Sequence, residues 1–185
     1  MSKPVKIVAV LDRSGSMQSM MHEMIGAFNA FVEEQRQQPG EAVLDLYIFD
    51  NIIEKVYSDI KLRDVPPLTS EKAFARGSTS LNDAIGIAIT SVGDYDDVIV
   101  LIQTDGYENS SQEYSTLQIK ELIAAKEAAG WDFTFTGAGV DAFSMGAGYG
   151  LTADKCLSVS KDLIGANAYL SANSTRTSLY RSSKM

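Results

Sequence analysis

Apolar positions along this chain fall into two alternating patterns, short unbroken runs and longer stretches spaced by three and four. Val5 to Leu11 is nearly continuous and rich in β-branched residues, the pattern of a strand buried on both faces of a parallel sheet. Met17, Met20, Met21, Met24, Phe28, Phe31 and Val32 then recur at helical spacing until Pro39-Gly40 interrupts them. Val43–Phe49 and Ile52–Tyr57 read as two strands joined at Asp50-Asn51, which suits a tight hairpin. Ser58 to Arg76, with Pro66-Pro67 inside it, reads as a long loop with a helical turn. Beyond it come a helix from Ser80 to about Ser91, a strand over Asp97–Gln103, a helix over Ser115–Ala129 and a strand over Trp131–Thr136. A short helix over Asp141–Gly148, a strand over Lys155–Ser160 and a closing helix over Leu163–Leu170 complete the pattern. Ser171 to Met185 is serine-rich and weakly patterned, and is expected to be a flexible C-terminal tail with Arg176, Arg181 and Lys184 in solvent.

Strands alternating with helices, with one hairpin, predict a doubly wound α/β domain: a mostly parallel central sheet, one antiparallel edge strand and helices on both faces. No internal repeat or linker divides the 185 residues, so a single domain over 1–185 is expected. In such a sheet the chemistry collects in the loops that leave the carboxyl ends of the strands.

Charge and composition narrow the chemistry. Sixteen basic against 24 acidic residues give a net charge of −8, with no basic cluster, which argues against nucleic acid as a partner. The lone Cys156 cannot form an internal disulfide or a thiolate metal cage, and reads as an inert buried thiol. No apolar stretch is long enough to span a membrane, and a soluble, cytoplasmic protein is expected. A single histidine, His22, on the exposed side of its helix, leaves little for acid–base relays. The expected reading is therefore a non-enzyme built on carboxylates and hydroxyls.

Those groups gather in three loops. The first strand runs into Asp12-Arg13-Ser14-Gly15-Ser16, where one carboxylate and two hydroxyls alternate around a glycine turn. Arg76-Gly77-Ser78-Thr79-Ser80 precedes a helix and offers another hydroxyl, and Thr104-Asp105-Gly106 follows a buried strand and offers another carboxylate. Two carboxylates and three hydroxyls suit a hard divalent cation, Mg²⁺ or else Mn²⁺ or Ca²⁺, better than zinc. Neutral hydroxyls leave such a cation electrophilic, ready to accept a carboxylate from another molecule.

The run Asp12-x-Ser14-x-Ser16, the Gly77-Ser78-Thr79 loop opening a helix with Asp83-Ala84-Ile85, and Thr104-Asp105-Gly106 after an apolar strand together resemble the metal-ion-dependent adhesion site (MIDAS) of von Willebrand factor type A domains. The likeness runs in order from about Val5 to Ser160, and is to the compact single-domain bacterial or phage-type members. It implies Ser14, Ser16 and Thr79 as metal ligands, Asp12 and Asp105 as carboxylates acting partly through bound water, and a partner protein captured through the metal. Where many such domains carry proline after the loop threonine, this chain has Ser80, which implies a less rigid loop.

Two other readings stand beside this one. Gly137-Ala138-Gly139-Val140-Asp141-Ala142 matches G-x-G-x-x-A after a strand, with Asp162 about twenty residues on, and would suit a nucleotide-binding protein or enzyme; tight strand–helix packing is its plainer explanation. A structural subunit in which the cation merely pins loops is the third. The methionine stripe reads as core filling.

Overall fold

The computed structural model describes residues 3–185 and forms one six-stranded sheet. Strands β1 (Val5–Asp12), β2 (Ala42–Phe49), β3 (Ile53–Lys61), β4 (Val98–Thr104), β5 (Asp132–Ala138) and β6 (Cys156–Val159) lie in the order β3-β2-β1-β4-β5-β6. All neighbours are parallel except β2 and β3. Helices α1 (Met21–Arg36), α2 (Leu81–Thr90), α3 (Thr116–Ala128) and α4 (Ala142–Gly148) connect them, and α5 (Leu163–Ser182) follows β6.

Alternation along the central strand divides the core. Ile7, Ala9 and Leu11 of β1 face one layer with Met17, Met20, Met24, Phe28 and Phe31 of the α1 region and with Ala166 and Tyr169 of α5. Val8 and Val10 face the other layer, with Leu81, Ile85 and Ile89 of α2, Ile119 and Ile123 of α3, and Phe133 and Phe135 of β5. The methionines are core filling, as their spacing predicts, and His22 is exposed.

Some elements depart from the sequence reading. The segment after Tyr57 is not loop at once: β3 continues to Lys61 because Lys61 and Ile60 pair with Val43 and Leu44 across a bulge. Strand β5 runs through Gly137 and Ala138, which pair with Thr104, Ser158 and Val159.

The largest correction concerns the C-terminus. Residues 171–182 continue α5 rather than forming a flexible tail, and the helix packs along α1. Its buried stripe is Gly165, Ala166, Tyr169, Asn173, Ser174, Thr177 and Arg181, at helical spacing but mostly small or polar. Asn173, Ser174 and Arg181 find partners, while the Tyr169 and Thr177 hydroxyls are buried with none among the described residues. Asn173 Oδ1 accepts from Thr134, Gln35 Nε2 donates to Ser174, and Arg181 donates to the carbonyls of Gln35 and Gly40 at 2.7 and 2.8 Å. Arg176 grips Asp132 through two bonds of 2.6 and 2.8 Å. A polar stripe that makes its bonds only in the folded chain carries no hydrophobic signal.

The sheet also fixes where a ligand site can lie. From β1 the connection through α1 leads to β2 on one side, while β4 lies on the other. The crevice beyond the carboxyl ends of β1 and β4 is therefore the topological switch point of the sheet.

Candidate metal centre

Asp12 ends β1 and Asp105 follows β4, so both carboxylates open at that switch point. The chain turns sharply after Asp12: the Ser14 N–H donates to Asp12 Oδ1 at 2.6 Å, and a 3₁₀ turn over Gly15–Ser19 follows. That turn swings both hydroxyls toward Asp105. Ser16 Oγ donates to Asp105 Oδ1 at 2.7 Å, Ser14 Oγ does so at 3.4 Å, and the two hydroxyls are 3.2 Å apart.

The third loop reaches the same rim through backbone bonds. Gly15 N–H donates to Gly77 C=O at 3.1 Å, and Arg76 N–H to Arg13 C=O at 2.8 Å. Gly77 has φ of +72°, and a Cβ there would meet Asn51 Oδ1 at 2.3 Å, so only glycine lets the loop lie this close. Thr79 is buried and is held by Asn109, whose Oδ1 accepts from the Thr79 N–H at 2.8 Å. A Cβ on Gly106 would lie 3.5 Å from Thr79 Oγ1 and 3.9 Å from Ser16 Oγ, which puts both hydroxyls at the edge of the Asp105 turn. All five residues singled out from the sequence thus converge.

The sequence reading assigned no role to the supporting groups, Thr104 and Asp83 of the quoted motif included. Thr104 Oγ1 lies 2.6 Å from Asp12 Oδ2 and orients that carboxylate. Asp83 accepts from the backbone N–H groups of Gln112, Glu113 and Tyr114, and Glu108 accepts from those of Asn82, Ser110 and Ser111, so the loop after β4 is laced to the start of α2. Ser80 adds to this lacing instead of loosening it. Its N–H donates to Asp50 C=O at 3.0 Å, a bond proline could not make, and its hydroxyl meets that of Ser110 at 2.8 Å. Lys161, which the sequence did not mark, brings its ammonium to 2.6 Å from Asp105 Oδ2 and donates to Ser16 C=O at 2.8 Å.

The electrostatics match a cation site. Burial lifts the Asp12 carboxyl above its ordinary value of 3.8, hydrogen bonds from Thr104 and Ser14 pull it back in part, and the nearby Asp105 charge pushes it up again. Asp105 Oδ2 is buried, and the Lys161 ammonium 2.6 Å away is the cation that faces it among the described residues. Among the described residues no three His, Cys, Asp or Glu side chains converge on one point, so a metal here would rest on two carboxylates and hydroxyl oxygens. This all-oxygen donor set fits a hard divalent cation.

Comparison with known proteins finds the same arrangement of elements. A von Willebrand factor type A structure from Catenulispora acidiphila superposes with a TM-score of 0.65 over 97% of this chain and 43% of that one, at 14% identity. The fold is that of a von Willebrand factor type A domain. The vWF domain of the type V pili tip protein Mfa5 from Porphyromonas gingivalis matches at TM-score 0.68 and 8% identity over 97% of this chain and 96% of that one. Proximal thread matrix protein 1 from the mussel byssus, in a form with a zinc-occupied MIDAS motif, matches at 0.71 and 14% identity over 96% of this chain. This chain spans about half of that matrix protein's length, 46%. No family model matches the sequence, and no curated protein does.

The glycine turn behaves as packing. Gly137 lies inside β5, where a Cβ would come within 2.9 Å of Val140 and 3.0 Å of Ala142. The start of α4, where a pyrophosphate would sit, is filled by Asp141, whose carboxylate accepts from Phe143 and Ser144 N–H. Asp162 is committed to capping α5, accepting from Gly165 N–H. The nucleotide reading therefore loses both its anion cradle and its acidic residue.

Proposed function

We propose that this type A domain is a non-enzymatic binding module that captures a partner protein through a divalent cation held by Asp12, Ser14, Ser16, Thr79 and Asp105. The observation that carries the reading is the convergence of these five side chains, from three separated loops, at the switch point of the sheet. A hard cation bound there would supply an electrophilic point for an acidic side chain of the partner. With two carboxylates and three neutral hydroxyls, the protein neutralises such an ion only in part, so an added carboxylate is attracted. We take Mg²⁺ as the resident ion. A cytoplasmic location, expected from the lone buried Cys156, belongs to the same proposal.

The surroundings favour a protein partner. Ile52, Phe74 and Tyr107, on loops, and Phe143, in the first turn of α4, are exposed apolar side chains at the carboxyl-end side of the sheet, the side where the candidate ligands open. Among the described residues no helix is long and apolar enough to cross a membrane. The pilus-tip and byssus thread-matrix settings of two matched structures support a binding role.

Titration calorimetry of chelator-treated protein with Mg²⁺ and Mn²⁺ tests the reading. Binding by the wild type and none by Asp12→Asn is expected, followed by binding of a glutamate-bearing peptide or partner that vanishes with chelator. Metal affinity equal in wild type and Asp12→Asn would remove the proposed site.

A further inference from the structure

The Lys161 ammonium sits where a cation shared by Asp105 and the Ser16 turn would be drawn, and three features of the chain hold it there. Its side chain is about one-third exposed, with Nζ at 2.6 Å from Asp105 Oδ2 and 2.8 Å from Ser16 C=O. Its stem crosses Gly139, the second glycine of the G-x-G turn. A Cβ at Gly139 would come within 2.8 Å of Lys161 Cδ and 2.9 Å of Cγ, and Gly139 has φ of +69°. The backbone that carries it is also fixed. Ser160 Oγ donates to Asp162, Asp162 caps α5 on Gly165 N–H, and Gly165 lies so close to Ser160 C=O that a Cβ would fall 1.8 Å from that oxygen.

We propose that Lys161 is a tethered cation that competes with the divalent metal for Asp105, giving the site a closed, ammonium-held state and an open, metal-loaded one. The proposal rests on the metal-binding reading above. Asp105 Oδ1 already accepts from Ser16, so the attraction of its other oxygen is what the ammonium and a metal would contend for. A monovalent ammonium and a divalent ion within contact range of one carboxylate repel each other, and the repulsion is least screened in a partly buried crevice. Loading the metal therefore releases Lys161, and the affinity of the site is set below what its oxygen ligands alone would give. The competing group comes from the β6–α5 loop, so anything that pulls that loop away opens the site. Gly139 then has a use that the nucleotide reading could not supply: it lets the lysine stem lie flat on its way to Asp105.

The test uses the full chain and Mn²⁺ as the probe, in two measurements. The first compares Mn²⁺ affinity by calorimetry in wild type, Lys161→Met, which keeps the stem and removes the charge, and Lys161→Arg, which keeps the charge. Binding roughly tenfold tighter in Lys161→Met, with Lys161→Arg close to wild type, is the expected result, at the lower end of ordinary coupling factors. The second needs no substitution at Lys161. Acylation by acetic anhydride, read residue by residue by mass spectrometry, should speed up several-fold at Lys161 on adding saturating Mn²⁺, while other lysines stay unchanged and Asp12→Asn shows no effect. Affinity within twofold between wild type and Lys161→Met, or Lys161 labelling indifferent to bound Mn²⁺, overturns the proposal while leaving the metal site intact. No Mn²⁺ binding in wild type and both variants overturns the metal reading and this inference with it.

Discussion

Asp12→Asn separates the proposed metal role of this carboxylate from any structural role, because the amide keeps the shape and most of the bonding. Ser14 N–H can still donate to the side-chain oxygen that stands 2.6 Å away. On the other side the Asn amide can donate to Thr104 Oγ1, whose own proton then turns to Gly106 C=O, 3.0 Å away. The bond lost is the long one from Asp105 N–H, at 3.4 Å. Against that loss, the substitution removes a buried charge beside Asp105. Burial raises the Asp12 pKa, so the ionised form is the one the fold disfavours, and stability falls as pH rises through the window above 3.8. The Asn variant, with no charge to bury, is expected to melt at or above the wild-type temperature when both are metal-free at neutral pH. Metal reverses the order. A cation at a hundred times its Kd adds about 2.7 kcal/mol to the wild type by mass action. At about 2–4 °C per kcal/mol for a chain of this size, the wild-type Tm rises by roughly 5–11 °C, and the variant's does not move. The assay is thermal unfolding followed by circular dichroism, with chelator and with Mg²⁺ or Mn²⁺. A variant that loses its fold without metal, or one whose Tm climbs with metal as the wild type's does, refutes the reasoning.

Four further outcomes follow from the packing and the charges. Deleting residues 171–185 should abolish cooperative unfolding, and Arg181→Leu alone should cost about 3 kcal/mol or more in urea denaturation, because it takes the guanidinium from the carbonyls of Gln38, Pro39 and Gly40 and leaves that of Gln35 only the bond from Gln38 N–H; a stable truncated domain would show that the second half of α5 is dispensable. Burial acts to raise the Asp132 carboxyl, but Arg176 and Lys155 outweigh it and hold it below its ordinary 3.8. Its contribution is therefore complete above that pH and is lost as pH falls through the lowered value, so Arg176→Met should destabilise clearly at pH 7 and progressively less in denaturation series taken below about pH 3.8. Cys156 is buried, and burial raises its thiol pKa, so Ellman's reagent should react with it only as fast as the domain opens; fast labelling of the native protein would contradict that. Gly86→Ala would press a methyl to 2.6 Å from the Tyr114 ring, and a loss of about 1–3 kcal/mol by overpacking is expected from the same denaturation series, with no loss counting against the close α2–Tyr114 contact.

Much of this molecule was readable from local pattern, and what escaped did so for identifiable reasons. Runs such as Val5 to Leu11 and Val98 to Ile102 announce buried strands because both their faces are covered, and the α1 stripe announces its helix because one face meets the sheet. The candidate ligands were legible for a related reason: in a doubly wound sheet, a strand's end marks where its following loop must open. Asp12 and Asp105 stand at such ends and Ser14 and Ser16 follow Asp12 directly, whereas Thr79, in the loop before α2, was singled out through the resemblance. Strand ends and alternation are properties of neighbours along the chain, so the order of residues alone carried the fold class and the candidate ligands Asp12, Ser14, Ser16 and Asp105.

Only the tertiary structure decided what depends on partners distant in sequence. The second half of α5 has small and polar residues on its buried face, and these are stable there because Gln35, Thr134 and Asp132 meet them. The stiffness of the Ser80 loop comes from Asp50 and Ser110, and the job of Gly139 from the stem of Lys161. Lys161 is separated from Asp105 by two strands' worth of chain and reads in sequence as an ordinary surface lysine. Hydrogen bonds and ion pairs are specific to a pair and leave no periodic trace in either partner, whereas hydrophobic burial is collective and does, which is why the architecture could be read from the chain and the contact of Lys161 with Asp105 could not.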